Sequence, residues 1–287
     1  MNNYDDLFEN QSNQILKDDY AARKRTERED LFDLSDRTAT AVVRDGGNFK
    51  QYLDVQSNFD HYSAVNALLI LAQKPTATKI ADFEHWKGLG GFIKPGQTAI
   101  SILEPHEYAK DDGTSGTGYN VKKVFDISQV DAQKVKTTSP PAYTERQLLA
   151  ALISKTPMKI SGTGVLPDDA GAITDPQTGE IHVRKNMGFF DTFRSISQEL
   201  GCYEADRDAK KIPVNPSFVG YCTAYMLCKK YGVDTKDFDF SRVSDVFHDL
   251  NPQGIKTQLA IIRDATNTIS GRMAKHLDKT AKTQESR

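Results

Sequence analysis

The chain has 287 residues, a formal net charge of −2, 38% hydrophobic residues and 26% charged residues, as expected of a globular protein. This length favours two domains, each able to bury its own core. No apolar run is long enough to span a bilayer and no export signal is recognised, so we expect a cytoplasmic protein without membrane contact. The slightly negative charge argues against strong, sequence-independent binding to duplex DNA, which depends on surplus Lys and Arg. Single strands remain candidates, because their bases also stack on aromatic side chains.

The first part of the chain predicts a series of helices. A charged segment up to about Arg44 is typical of an exposed helix stabilised by mixed charges. Aromatic and aliphatic residues at 49–59 indicate a second, short helix after a glycine pair. Ser63 is suited to cap a third helix, which should end before Pro75.

A change of pattern near residue 80 predicts a small antiparallel sheet. A short helix at 83–87 is followed by strand-like segments at 98–103 and 121–127. The residues between them, at 111–118, are rich in Gly, Ser and Asp and predict a flexible hairpin loop.

The second half predicts a mainly helical domain with a short sheet. Its expected elements are a helix at 144–154, strands at 158–162 and 181–184, and helices at 189–207, 216–231 and 253–276. The predicted fold class is therefore α+β. We expect four regions: a first domain at 1–130, a linker at 131–143, a second domain at 144–278 and a polar tail at 279–287.

The cysteines indicate reduced thiols. Cys202, Cys222 and Cys228 are an odd number, cluster in one region and contain no C-x-x-C pair. This pattern argues against both a disulfide framework and a finger-type zinc site. We expect them to be mostly buried.

The segment 193–207 carries the strongest chemical signal. Phe193, Ile196 and Leu200 form an apolar helical stripe, which places positions 198 and 202 one turn apart on the same side. Metalloproteases with an H-E-x-x-H helix place two zinc-binding histidines at this spacing, around a glutamate that polarises the metal-bound water. Here the five residues are Gln198-Glu199-Leu200-Gly201-Cys202, so only the glutamate is retained. Taken alone, the segment is simply an ordinary helix with a solvent-facing glutamate and a buried cysteine.

The sequence around this segment resembles the ArdC-like antirestriction family and its LtrC-like relatives of conjugative elements. The resemblance covers most of the chain and depends on the order and spacing of several segments. These are 52–78, 82–105, KKVFDISQ at 122–129, IHVRKNM at 181–187, FRSISQEL at 193–200 and AYMLCKKYGVDT at 224–235. The resemblance implies an N-terminal single-stranded-DNA-binding domain followed by a zincin-like metalloprotease domain.

The chain departs from the family where its chemistry would be. The family's two histidines fall on Gln198 and Cys202, and the later helix offers Val219 and Tyr221 near the position of a third, acidic ligand. Glu199 matches the general base, but without a metal-bound water it has nothing to activate. We therefore expect a degenerate zincin-like domain that binds no metal and no cofactor, with Gln198, Glu199 and Cys202 as vestiges of the site.

The resemblance also implies a set of DNA-binding residues, which combine aromatic rings for stacking with cations for phosphates. These are Tyr62, Asn66, Lys74, Trp86, Lys87 and Lys94. Each has a plainer interpretation. Trp86 could anchor the core, Asn66 could help cap a helix, and the lysines could be ordinary surface charges.

These observations favour a single-stranded-DNA-binding accessory protein of a plasmid or integrative conjugative element, with an inactive metalloprotease-like domain that serves as a scaffold or binds a protein partner. One alternative is a metallopeptidase with a non-standard site formed by Glu199 and Cys202. Another is a protein-interaction adaptor that binds no nucleic acid.

Overall fold

The computed structural model describes residues 5–110, 112–131, 135, 141–167, 169–208 and 215–285, without the side chains of 5–17, 207–208 and 281–285. Its helices are α1 (Asp5–Val42), α2 (Gly46–Asn58), α3 (Ala64–Gln73), α4 (Phe83–Gly88), α5 (Glu145–Ile153), α6 (Phe189–Asp208), α7 (Pro216–Lys230), α8 (Val243–Phe247) and α9 (Pro252–Glu285). Its strands are β1 (Ile80–Ala81), β2 (Phe92–Ile93), β3 (Ile100–Ala109), β4 (Ser115–Asp126), β5 (Val130–Asp131), β6 (Ile160–Thr163), β7 (Ala172–Thr174) and β8 (Ile181–Arg184).

The fold is α+β, which confirms the predicted class. Two differences in length have physical causes. The predicted loop at 111–118 is wrong, because strand pairing continues from Ala109 to Ser115 and leaves only a short turn between β3 and β4. Helix α9 continues past the predicted end at 276 to Glu285, because its last residues, although polar, contain neither Gly nor Pro. None of the helices within the described residues is both long and apolar enough to cross a membrane.

The chain divides into two compact units. Unit 1 comprises Met1–Thr38 and Leu68–Val135, and unit 2 comprises Ala39–Ala67 and Lys136–Arg287. The expected N-terminal domain at 1–130 is therefore not identical with unit 1. Most of the expected linker at 131–143 lies outside the described residues, so the proposed domain boundary stays a prediction.

Unit 1 is built on a three-stranded antiparallel sheet in the order β1-β4-β3. Gln73, at the end of α3, binds the outer edge of β3 near its start. Its side-chain amide forms two hydrogen bonds of 2.9 Å with the backbone N–H and C=O of Ser101. Beyond Leu103 the β3–β4 pair becomes exposed on both strands. Its far half is therefore a two-stranded ribbon rather than part of a packed layer.

A buried carboxylate fixes the end of β4. Asp126, 1% exposed, accepts hydrogen bonds from the backbone N–H groups of Thr78 (2.7 Å), Lys79 (3.0 Å) and Ser128 (2.9 Å). Burial raises the pKa of the Asp126 carboxyl, but these hydrogen bonds outweigh burial and hold the pKa below its usual value. The charged side chain thus joins the segment before β1 to the end of the sheet.

Unit 2 consists mainly of helices packed against a short mixed sheet in the order β6-β8-β7. Strand β6 pairs in parallel with β8, and β7 pairs with it in antiparallel orientation at the edge. Helix α6 packs on this sheet and on α7. The crossing of α6 and α7 is close because glycines meet there: a Cβ on Gly201 would lie 2.9 Å from the Cα of Gly220.

Candidate functional site

The six residues expected to bind DNA do not share one unit. Tyr62 and Asn66 fall in unit 2, and the other four fall in unit 1. Asn66 is 6% exposed and its backbone N–H donates to Ser63 Oγ, 3.1 Å away, which is the arrangement of a helix cap. Tyr62 is half-buried and its ring lies 4.3 Å from that of His61. In unit 1, Lys74 is half-buried at the end of α3.

Trp86 is part of the core of unit 1. Its side chain is fully buried against Val130 and Val135, and its indole N–H donates to the carbonyl of Phe125, 2.8 Å away. A base cannot stack on a ring in this position. The expected stacking role is therefore corrected, because both faces and the polar edge of the indole have partners inside the protein.

Exposed residues surround this buried tryptophan. Lys87 and Lys94 are exposed, and neither forms an ion pair with a described residue. Between them lies Phe92, which is 62% exposed. Strand alternation explains this, because its neighbour Ile93 packs on the Trp86 core and Phe92 must point the other way. We call Lys87, Phe92 and Lys94 the Phe92 surface.

Sequence reasoning missed Phe92, and the available signal was ambiguous. Phe92 and Ile93 are adjacent apolar residues on a two-residue strand, and a shift of one residue in register exchanges the inward and outward positions. Only the pairing of Phe92 with Asp131 and of Ile93 with Val130 settles which side chain is buried.

The metalloprotease-like segment lies on α6, as predicted, with Phe193, Ile196 and Leu200 buried. Glu199 is half-buried and accepts a hydrogen bond of 2.6 Å from Thr174 Oγ1 on the edge strand β7. Sequence reasoning did not identify β7 or this partner. Glu199 is therefore held by a hydroxyl group.

Helix α7 presents no ligand to this segment. The residue that faces Cys202 is Gly220, where a Cβ would collide with the Cys202 sulfur and with the main-chain oxygen of Gln198. Val219 is 1% exposed, and the Tyr221 hydroxyl accepts a hydrogen bond of 2.8 Å from the backbone N–H of Asp239. The backbone of α7 thus occupies the space in which a third ligand would approach.

The donor set does not fit a catalytic metal. Burial, followed by the nearby charges of Glu199 and Asp206, raises the pKa of the Cys202 thiol to about 12, whereas a metal ligand must be the thiolate. Gln198 offers only a neutral amide. Within the described part of the chain, no group of three or more His, Cys, Asp or Glu side chains is arranged to hold a metal ion. The cysteines that the structure describes are free thiols.

A second cluster in unit 2 has the residue types of a hydrolytic triad but not its arrangement. Ser161 Oγ lies 3.0 Å from His182 Nδ1, and Asp175 lies 4.0 Å from His182 Nε2. At 4.0 Å the Asp175 carboxylate is beyond hydrogen-bond distance of the His182 ring, so it does not orient the ring as the acidic member of a triad would.

Comparison with known proteins gives one domain match. Residues 41–143, which include the Phe92 surface and the β3–β4 ribbon, match the family model described as the N-terminal domain of anti-restriction factor ArdC. An uncharacterized protein of Bacillus anthracis, pXO2-81, is 22% identical over 268 aligned residues, covering 73% of this chain and 45% of that protein. The chain thus spans less than half the length of this relative.

Two crystal structures of the antirestriction protein ArdC from the R388 plasmid align with this chain at 16% identity and a TM-score of 0.49. The metal-free structure covers 75% of this chain and 86% of its own. The Mn(II)-bound structure covers 79% of this chain and 98% of its own.

Proposed function

We propose that the chain, whose residues 41–143 match the model of the N-terminal domain of anti-restriction factor ArdC, is a single-stranded-DNA-binding, antirestriction-type accessory protein of a plasmid or integrative conjugative element. In this proposal it acts in the cytoplasm on the entering strand. Its C-terminal half, with the expected domain at 144–278, is a catalytically inactive metalloprotease-like scaffold or a surface for a protein partner.

The observation that carries the proposal is the Phe92 surface. Within eight residues the chain exposes two lysines and one phenylalanine ring, on a short strand whose Ile93 packs against the Trp86 core. The strand alternation that turns Phe92 outward also places Lys94 on the same side. This combination suits a single strand, whose phosphates pair with cations while an unpaired base stacks on the ring.

The overall charge supports single-stranded over duplex DNA. A chain with a net charge of −2 has no surplus of cations to neutralise many phosphates, and duplex binding without sequence preference depends on such neutralisation. Stacking on aromatic rings contributes about 1–3 kcal/mol per base and is available only when bases are unpaired. We therefore expect moderate affinity for single strands, weakened by salt, and weaker binding to duplex.

The proposal is tested by fluorescence anisotropy with labelled single-stranded and duplex oligonucleotides over a range of salt concentrations. Lys87→Ala plus Lys94→Ala should lower affinity at low salt and make the plot of log K against log salt shallower by about 1.4, since each lost contact to a single strand removes about 0.7. A matched control is Lys236→Ala plus Lys275→Ala, two exposed lysines of unit 2, which should leave affinity unchanged. Equal or tighter binding to duplex, or no binding at low salt, would contradict the proposal.

A further inference from the structure

The β3–β4 ribbon of unit 1 has one covered face and one open face. On the covered face, the ring of Tyr119 packs edge-on against Phe32 of α1, with centroids 5.6 Å apart. On the same face, Lys123 lies 2.5 Å from Glu27 of α1. Helix α1 therefore lies along this side of the ribbon, and cross-strand partners on the other side point away from it.

The open face carries two aromatic rings that lie over glycines. His106 pairs with Gly118, and Tyr108 pairs with Gly116. A Cβ on Gly116 would lie 2.6 Å from Cζ of Tyr108, and one on Gly118 would lie 2.7 Å from Cε1 and Nε2 of His106. Each ring thus occupies the space of the missing side chain and packs against the partner strand, while both residues remain exposed to solvent.

A cation continues this row. By strand alternation Lys110 projects on the same side as His106 and Tyr108, and it is exposed without an ion pair to a described residue. At the other end of the row, Lys122 is paired with Glu104 (2.9 Å) and Asp82 (3.4 Å). Lys110, which is not engaged in an ion pair with a described residue, therefore lies beside the rings at the tip of the ribbon.

The contacts of the rings distinguish a binding surface from simple strand stabilisation. An aromatic residue opposite a glycine stabilises a strand pair by covering the exposed backbone, and one such pair would need no further explanation. Here two successive aromatic–glycine pairs lie on the open face of the ribbon, with the ring centroids of His106 and Tyr108 6.4 Å apart. Tyr108 also remains 49% exposed. The ribbon extends beyond the buried part of the sheet, which ends at Leu103.

We propose that His106, Tyr108 and Lys110 form an aromatic face that binds unpaired DNA bases, with the rings stacking on bases and the lysine contacting a neighbouring phosphate. This inference rests on the proposed function and extends it, because it assigns base stacking to a surface separate in sequence from the Phe92 surface. Rings packed against the backbone of the partner strand lose little conformational freedom when a base stacks on them. The two rings of the aromatic face add affinity that hardly depends on salt, whereas Lys110 and the lysines of the Phe92 surface add affinity that does.

The experiment measures the affinity of the full chain for a labelled single strand at low and at physiological salt. Tyr108→Ala and His106→Ala should each weaken binding about fivefold or more, as expected for one stacked base, with similar factors at both salt concentrations. Tyr108→Phe keeps the ring and should bind like the wild type. Tyr119→Ala, on the covered face, is the matched control and should leave affinity unchanged.

A further variant separates loss of the ring from loss of the fold. Tyr108→Leu keeps an apolar side chain over Gly116 but removes the stacking surface, so it should retain the melting temperature and lose affinity as Tyr108→Ala does. If the wild type binds single strands and neither Tyr108→Leu nor His106→Ala changes the affinity, the aromatic face is wrong while the proposed function stands. If the wild type does not bind single strands at all, the proposed function itself fails.

Discussion

The Phe92 surface of unit 1 and the Gln198–Cys202 segment of unit 2 both carry residue types associated with function, but they differ in how available those side chains are. Lys87, Phe92 and Lys94 are exposed above the apolar core around Trp86. In unit 2, Glu199 is hydrogen-bonded to Thr174 and the Cys202 thiol faces the backbone of α7. The two regions thus differ in availability: Lys87 and the ring of Phe92 are open to a ligand, whereas Glu199 and Cys202 are engaged within the protein.

The largest expected effect is a difference in stability between substitutions of Trp86 and of Phe92. Trp86→Ala should lower the free energy of unfolding by about 3–5 kcal/mol, as for other large-to-small changes in a core. Phe92→Ala should change stability by no more than about 0.5 kcal/mol, because an exposed ring contributes little to packing, and should weaken binding to single strands. Urea unfolding of the full chain measures the first effect and anisotropy the second.

Fluorescence gives an independent check that the ring of Trp86 is buried. Trp86 is the only tryptophan, so the emission of the wild type reports its environment alone. A buried indole should resist quenching by iodide, and binding of a single strand should leave its emission maximum unchanged. Strong quenching of Trp86 by iodide or by bound DNA would show that the ring is accessible and that the stacking role belongs to it after all.

A smaller effect on stability tests how closely helices α6 and α7 pack at Gly220. Gly220→Ala should lower the free energy of unfolding by about 1–3 kcal/mol, because the added carbon meets a main-chain oxygen that cannot rotate away. Gly271→Ala in α9 is the matched control. Apart from its chain neighbours and the adjacent backbone of α9, no described residue has an atom within 4 Å of the position its Cβ would take, so this change should stabilise the chain by about 0.5–1 kcal/mol. Similar effects of the two substitutions would mean that α6 and α7 leave room for another ligand.

The smallest expected effect concerns the retained glutamate. Glu199→Gln preserves an oxygen that can accept from Thr174, so the melting temperature, DNA affinity and any antirestriction effect in cells should remain at the wild-type level. Metal analysis of protein purified without added zinc should find far less than one equivalent, and a chelator should not shift the melting temperature. Loss of a cellular phenotype in Glu199→Gln, with stability and DNA affinity intact, would indicate a hydrolytic activity.

The sequence predicted elements best where a local signal determines the backbone. The helix after Thr144 begins with a capping box in which the threonine and Gln147 side chains each bind the other's backbone, and such a signal depends only on neighbours. Helix α6 followed from an apolar stripe that is buried as expected. The resemblance to the ArdC-like family is likewise supported by the domain match at 41–143.

Non-local contacts explain what the sequence could not provide. Gly116 and Gly118 are typical loop residues in sequence, yet they continue a strand because Tyr108 and His106 on the partner strand cover them. Trp86 next to Lys87 resembles a DNA-binding pair, yet its burial depends on Val130 and Val135, more than forty residues away. The role of Gly220 depends on how closely two helices approach, which no local pattern specifies.

The exposed edge of β3 has a consequence for the behaviour of the protein in solution. Within the described residues β3 is the outermost strand of its sheet, and such an edge can pair with another chain and lead to aggregation. Gln73 occupies the edge at Ser101, and further along Pro105 offers no N–H while Glu104 and Glu107 add negative charge. Two ribbons brought side by side would lack a complete set of hydrogen bonds and would place like charges together. The strand that presents His106 and Tyr108 to a ligand is thus protected against pairing with a second copy of itself.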